Sequence, residues 1–382
     1  RRQQLTSCLL IKANVSNKRF PFKNAEYLKN AKDSSEPSCR GMRLVRADIE
    51  WILAHTQETS VDLRGADLSH ADLSGLSFNE ARFGLTKSEQ AKAKEDQCIY
   101  ARAHLENANL ERAGLERAHL HQVYMEGAQL NKAHLENADL SDAQLQHTNF
   151  TEAHLGKTNL RNASLSGAYF KEAILASKDG VGPYLVDVHW ENCNLAFLDL
   201  SPIKMLGEEY QAYKEYDEAG QKKIEQDHIE EHQSAVRANR QLALALGSQG
   251  LNEEASRFAY RAQLIQRVLY WKQHKIGAAL FSFLLDALAG YGYKPQRSLI
   301  AYIIVIFSFM CFYLLNAHFA LPHLTWDEAL VLSVSSFHGR GFFPQDIVLG
   351  STYARISAVE AILGLFIEIS FIATFTQRFF GK

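Results

Sequence analysis

The sequence predicts a solenoid, then an α-helical connector, then a membrane module with two spans. Three observations carry this. A five-residue beat runs from Val61 to Leu175, a polar helical stretch follows it, and two long apolar runs lie in residues 298–382. The beat matters most, because missing an internal repeat would misassign half the chain.

The centre of each five-residue unit is Leu, Phe or Met: Leu63, Leu68, Leu73, Phe78, Phe83, then Leu105 and every fifth position to Leu175. Two residues before most centres sits a small residue, as at Ala66, Ala71, Ala81, Ala103 and Ala108. Neither a 3.6-residue helix nor a two-residue strand keeps a period of five. A chain that turns one corner per unit does, because every centre and every Ala then points to one axis. Four units close a square coil, and at sheet spacing about 4.8 Å five to six coils stack to roughly 25 Å. The beat breaks at residues 84–100, where Thr86-Lys87-Ser88-Glu89 reads as a capping box opening a short helix. Met42-Arg43-Leu44 and Ala47-Asp48-Ile49 match the triplet, so a first coil is expected there. Cys193-Asn194-Leu195 and Leu198-Asp199-Leu200 are late matches after the loop at Gly180–Pro183.

The beat, as in Ala66-Asp67-Leu68-Ser69-His70 and Ala138-Asp139-Leu140-Ser141-Asp142, resembles pentapeptide-repeat proteins. The resemblance implies a right-handed quadrilateral β-helix over residues 41–200, with residues 1–40 unpatterned. It is specific for fold and nearly silent on function.

Ser201-Pro202 ends the beat, and residues 201–275 read as a helical connector. Ala235–Leu246 and Asn252–His274, joined at Gly247–Gly250, look like a tetratricopeptide-type hairpin with Asn252 as N-cap. Residues 276–297 read as an amphipathic helix at a membrane surface, carrying Asp286 and ending at Gly290 and Gly292. Leu299–Phe319 has no charge and Tyr353–Phe375 carries Arg355, Glu360 and Glu368; both are long enough to span. Lys272, Lys275, Lys294 and Arg297 precede the first span, and Arg378 and Lys382 follow the second. The loop between has Arg340 against Asp327, Glu328 and Asp346, so both termini are expected in the cytoplasm of a multi-pass cell (inner) membrane protein.

Span, short helix, Gly-x-Gly loop and span together resemble two-transmembrane potassium-channel-like pore modules. Ala329–Val334 looks like their pore helix and Val359–Phe366 like the start of their inner helix, with Gly364 near its bend. Gly290-Tyr291-Gly292-Tyr293-Lys294-Pro295 is similar to the segment that precedes the first span in pentapeptide-repeat proteins fused to such a pore. The resemblance implies a homotetramer with ions as permeants and a filter over Ser335, Ser336, Phe337, His338, Gly339, Arg340, Gly341 and Phe342. The departure from the family pattern is informative. A potassium filter reads Thr-Val-Gly-Tyr-Gly-Asp, and its carbonyls replace the ion's water. Here both glycines survive, but the Val, Tyr and Asp positions hold His338, Arg340 and Phe342. With family geometry, Arg340 would sit behind the loop and need a partner, since an unpaired charge at a span's centre costs about 2.5–3.5 kcal/mol. Glu360 is the candidate partner, with Asp327 and Glu328 as alternates. Facing the axis instead, four guanidinium groups would favour anions. Neither case gives ordinary potassium selectivity.

Glu360, Gly364 and Glu368 share one helical face. Glu368 reads either as lining an inner cavity or as a subunit-contact hydrogen bond. His338 reads either as a pH-sensitive element or as a hydrogen-bonded structural histidine.

Residues 61–200 hold 13 Lys and Arg against 20 Asp and Glu, a net −7, while the whole chain is −2. Local pairs such as Glu111-Arg112 and Glu116-Arg117 argue against DNA mimicry, so no nucleic-acid partner is expected; the β-helix reads as a docking surface for a protein or ligand. Glu106/Glu126 and Glu116/Glu136 would stack as like charges. His134 and His154 would also stack, but Gly114 and Ile174 continue their column with no Cys or carboxylate, which reads as a solvated face rather than a metal site. No nucleophile–base pair or phosphate loop is present, so neither an enzyme nor a cofactor is expected. Five Cys without C-x-x-C spacing read as reduced thiols. No signal peptide is visible, and a start at Arg1 reads as trimmed. A membrane-anchored scaffold that does not conduct is the alternative to a channel.

Overall fold

The computed structural model describes residues 43–55, 61–92, 101–217, 220–320, 324–339 and 352–380. They fall into two compact units, Arg1–Ala262 and Gln263–Lys382.

The first unit is the solenoid and its helical cap. Parallel bridges join residues 20 apart on four faces, as His104 to Tyr124, Asn109 to Gln129, Gly114 to His134 and His119 to Asp139. A unit of five leaves room for one bridged residue between corners, so the faces are ladders of single bridges. Each corner closes with a hydrogen bond such as Ala108 N to Leu105 O at 3.1 Å. The residue before it takes a positive φ, 55° at Asn107 and 60° at Asn137. Asn and Asp tolerate that conformation best, but the corners also impose it on Glu, Arg, Lys, Gln and His, as at Glu80, Arg112 and Lys132. The centres and the Ala positions point inward: Leu105, Leu115, Leu135 and Ala138 are fully buried in one continuous core.

Insertions leave the stack in phase. Across residues 84–100 the bridges pair Asp67 with His104, 37 apart in place of 20. Helix α1 (Arg46–His55) precedes the coils, and α2 (Lys87–Gln90) lies in the insertion. Thr86 and Glu89 cap α2 reciprocally, the Thr86 amide donating to Glu89 at 3.0 Å. Burial alone would raise the Glu89 carboxyl, but the Thr86 amide and the Arg82 guanidinium hold it down at about 2. A second insertion shifts the offset to 25, Asn159 pairing with Tyr184, so the beat continues through Leu185 and Leu195.

Only part of the expected first coil forms. Arg43 bridges Asp67, but Ala47-Asp48-Ile49 is helical, within α1. The Asp48 carboxylate accepts the Val45 amide at 3.1 Å and starts a helix there. Ile49 and Ile52, three apart on that helix, are buried in the core.

At the other end of the stack, side chains replace the carbonyls of a missing coil. Helices α3 (Gly207–Ala212) and α4 (Glu225–Ser248) supply most of them. Glu208 on α3 accepts the amides of Leu185 and Val186 at 2.7 and 2.8 Å. From α4, Gln241 accepts the Asp187 amide at 2.8 Å, and Gln249, just beyond its end, accepts that of Leu195 at 2.8 Å. Gln249 also donates to Cys193 O at 2.7 Å. An edge of unpaired backbone groups is thereby closed. Helix α4 starts ten residues before the expected Ala235, with Asp227 accepting the Ile224 amide at 3.1 Å. It packs Ala238, Leu242 and Leu246 into the core together with Phe258. Phe258 belongs to α5 (Asn252–Lys272), which starts with Asn252 inside the helix rather than capping it.

The second unit is helical. Helix α6 (Ile276–Ala289) stops where Gly290 turns to φ 53°. Its Asp286 is buried and held by Arg267 at 2.9 Å and Arg297 at 2.6 Å. Then come α7 (Pro295–Ala320), α8 (Trp326–Phe337) and α9 (Thr352–Phe380). Pro295–Leu315 and Ala354–Thr376 are long and apolar enough to cross a membrane, and only 17% and 22% of them are buried inside the unit. Apolar side chains face outward along both, including Ile303, Ile304, Phe307, Ile362, Phe366 and Ile369.

Candidate functional site

Polar side chains form a seam where α7, α8 and α9 meet. The Glu360 residue on α9 is fully buried. Its carboxylate accepts the Tyr313 hydroxyl of α7 at 2.7 Å and contacts the Ser333 hydroxyl of α8 at 2.5 Å. Ser333 also lies 3.0 Å from Ile306 O. One turn along α8, Ser336 accepts the Ser357 hydroxyl of α9 at 2.7 Å. Polar groups in a low-dielectric seam are held firmly only when paired, and here one carboxylate ties three helices. Two apolar clusters pack within the unit, one of Tyr313, Ala329 and Leu332 and one of Ile306, Phe337 and Ile367.

Gly364 lies further along α9, where a Cβ would come within 2.0 Å of Phe337 O. Its missing side chain lets the end of α8 rest directly on α9. His338 follows, with Nδ1 2.8 Å from Val334 O and Nε2 3.3 Å from Glu368. Nδ1 facing a carbonyl must carry hydrogen, so His338 donates to Glu368 as well only when both nitrogens are protonated. The ring also meets Tyr302 edge-on, with centroids 5.9 Å apart.

The structure thus brings Ser336, Phe337, His338, Glu360, Gly364 and Glu368 together along the α8–α9 contact. Ser335 is half-buried and donates to Leu332 O at 3.0 Å, and Gly339 turns to φ 67°. Arg340, Gly341 and Phe342 lie outside the described residues. Glu360 meets Tyr313 and Ser333, two partners that the sequence reading did not single out. Among the alternates proposed for Arg340, Glu328 accepts the Thr325 amide at 2.9 Å. A Tyr on one span and a Ser on the short helix were the available signal, but only tertiary contact selects them among the unit's many hydroxyls.

On the solenoid one expectation is corrected. A carboxylate does join the histidine column: Glu136 Oε1 lies 3.2 Å from His154 Nδ1 and 3.8 Å from His134 Nδ1. Counting positions down the column missed it, because Glu136 sits two residues on, at the corner, and its side chain folds back. Elsewhere a polar groove is lined by Lys157, Arg161, Tyr184, Glu208, Tyr210 and Lys214. Lys157 and Lys214 flank the Tyr210 ring, 5.2 and 4.5 Å from its centroid, and Arg161 lies 4.6 Å from that of Tyr184.

Residues 93–170 match the family model of the pentapeptide repeat region, and residues 59–85 that of pentapeptide repeats. The solenoid is built of pentapeptide repeats. Such repeats fold as right-handed quadrilateral β-helices, and the four ladders described above have that plan. Similar solved structures include the pentapeptide repeat protein Rfr23 from the cyanobacterium Cyanothece 51142, at 27% identity and TM-score 0.21, covering 34% of this chain and 86% of that one. HetL from Nostoc sp. strain PCC 7120, involved in heterocyst differentiation regulation, is 22% identical with TM-score 0.17, over 36% of this chain and 66% of that one. A pentapeptide repeat protein of the Arabidopsis thaliana thylakoid lumen is 24% identical with TM-score 0.14, over 32% and 61%. No curated protein matches the chain.

Proposed function

We propose that this is a channel-like membrane protein, in which α7, α8 and α9 form one subunit of a tetrameric two-span pore regulated by a cytoplasmic pentapeptide-repeat domain. The observation that carries the reading is the half-length helix α8, seated against two spanning-length helices by the Glu360 seam and by the contact of Phe337 O with Gly364. A short helix held between two spans fixes the point at which Gly339 leaves it, and an ion filter requires such a fixed start. The His338 and Arg340 positions depart from potassium filters, so the permeant ion is not potassium-specific in this reading. Glu368, next to His338, is the carboxylate that neighbours the filter.

Ion flux through the purified protein in liposomes, under opposed K⁺, Na⁺ and Cl⁻ gradients, tests this. Selective flux that Arg340→Gln alters supports the pore and gives the sign of its ion. A tetramer of verified mass that carries no flux across pH and voltage, or a stable monomer, rejects it.

The second reading is a membrane-anchored scaffold that docks a protein or ligand. It is favoured by the repeat domain itself, a fold suited to protein interaction, and by the groove in which three cations lie over Tyr184 and Tyr210. In that reading the Glu360 seam is purely a helix clamp.

A further inference from the structure

His134, Glu136 and His154 place three potential ligand atoms within 4.8 Å of one another on one face of the β-helix. The stack makes this arrangement. His134 and His154 are a bridged pair on consecutive coils, and their rings lie 4.5 Å apart, tilted by 43°. Glu136 reaches back from the corner of the lower coil, and its Oε1 approaches both Nδ1 atoms at 3.2 and 3.8 Å. Its Oε2 is shielded from solvent and has no hydrogen-bond partner among the described residues. A carboxylate oxygen in that state has lone pairs to give.

Two imidazoles and one carboxylate suit Zn²⁺, which takes His nitrogen and Glu oxygen at about 2.0–2.2 Å. Donors around a tetrahedral ion at that distance stand about 3.3 Å apart; the two Glu136–His separations bracket this value, and the His134–His154 separation lies within 4.8 Å. The backbone of each histidine is fixed by the ladder, so small side-chain rotations complete the triangle. Glu152 and Glu172 share the groove with Arg112 and Lys132, and the Lys132–Glu152 pair at 3.4 Å keeps that cation engaged. Glu136 itself is directed at the two histidines.

The same chain contains a natural comparison. His104-Leu105-Glu106 repeats the His134-Leu135-Glu136 pattern, but the residue one coil up is Tyr124. There His104 Nδ1 pairs with Glu106 at 2.9 Å, and the Tyr124 ring stacks at 4.8 Å. On another face the fold therefore accepts a tyrosine in the position equivalent to His154, and the second histidine is what turns a pair into a three-ligand set.

We propose that His134, Glu136 and His154 bind one Zn²⁺ or a similar late divalent metal, clipping two adjacent coils and leaving the remaining coordination positions to water or a partner's ligand. Isothermal titration of the detergent-solubilised full chain with Zn²⁺ tests this, with far-UV circular dichroism to verify folding. The expected result is one site that weakens by at least the roughly tenfold that loss of an outer-shell contact alone costs, in His154→Tyr and in Glu136→Gln. The site should also weaken on acidification, because protons compete for the imidazoles. Tyr124→His should add a second site of the same class. A wild-type chain that binds no Zn²⁺, or folded His154→Tyr and Glu136→Gln variants with wild-type affinity and stoichiometry, would overturn the proposal.

Discussion

Glu360 shows how much one side chain settles at the residue scale. It is a carboxylate within a helix of spanning length, and the sequence marks it as costly unless partnered. The partners are two hydroxyls on two other helices, at 2.7 and 2.5 Å. Glu360→Gln keeps both an acceptor and a donor and should leave the unit intact. Glu360→Ala removes the acceptor from two buried hydroxyls and should cost about 1–3 kcal/mol. Thermal unfolding in detergent checks this, and equal melting of the two variants would reject the clamp. Glu89 gives the pH prediction. Its carboxyl is held down at about 2 by Thr86 and Arg82. A carboxyl depressed on folding stabilises above its unfolded value and loses that contribution as pH falls through the folded one. Protection of α2 from proteolysis should therefore hold at neutral pH and fade between about pH 4 and 2, and Glu89→Gln should lose this dependence.

At the element scale, the pair α3–α4 is more than the connector the sequence suggests. Glu208 is 1% exposed. Burial raises its carboxyl despite the nearby Arg161 and the amides of Val186 and Leu185. Its Oε1 takes both the Leu185 and the Val186 amide, so its contribution to the ladder's end is that of an acceptor. Glu208→Ala strands two buried amides and should destabilise the repeat unit by about 2–4 kcal/mol. Glu208→Gln, which keeps an acceptor, should cost much less. Denaturant unfolding of the full chain, followed by a probe placed in the solenoid, separates these outcomes. The spacing of Gln241 and Gln249 matches that of the Asp187 and Leu195 amides they cap, eight residues in each case. That signal was present in the sequence but had no meaning until the ladder's register was known.

For the whole molecule, the two units obey different solvents. The repeat unit encloses a continuous Leu, Phe and Ala core. The helical unit leaves most of α7 and α9 uncovered, with apolar side chains outward. Burying such a surface requires lipid, detergent or further subunits. The protein should accordingly stay in the membrane pellet through high salt and alkaline carbonate, and leave it only with detergent. Release by carbonate would reject spanning helices and the pore and anchor readings with them.

The solenoid was legible in the residue order alone, because a period of five admits one corner per unit and repeats its own answer along the chain. So were the two apolar helices, since length and composition are local properties. Tertiary structure alone decided what meets what: Ala47-Asp48-Ile49 as a helix over the core, Glu208 and Gln249 as the end of the ladder, Tyr313 and Ser333 on Glu360, and Glu136 beneath His154. Each of these depends on side-chain reach across elements, and a linear pattern holds periodicity but not the direction in which a side chain folds back.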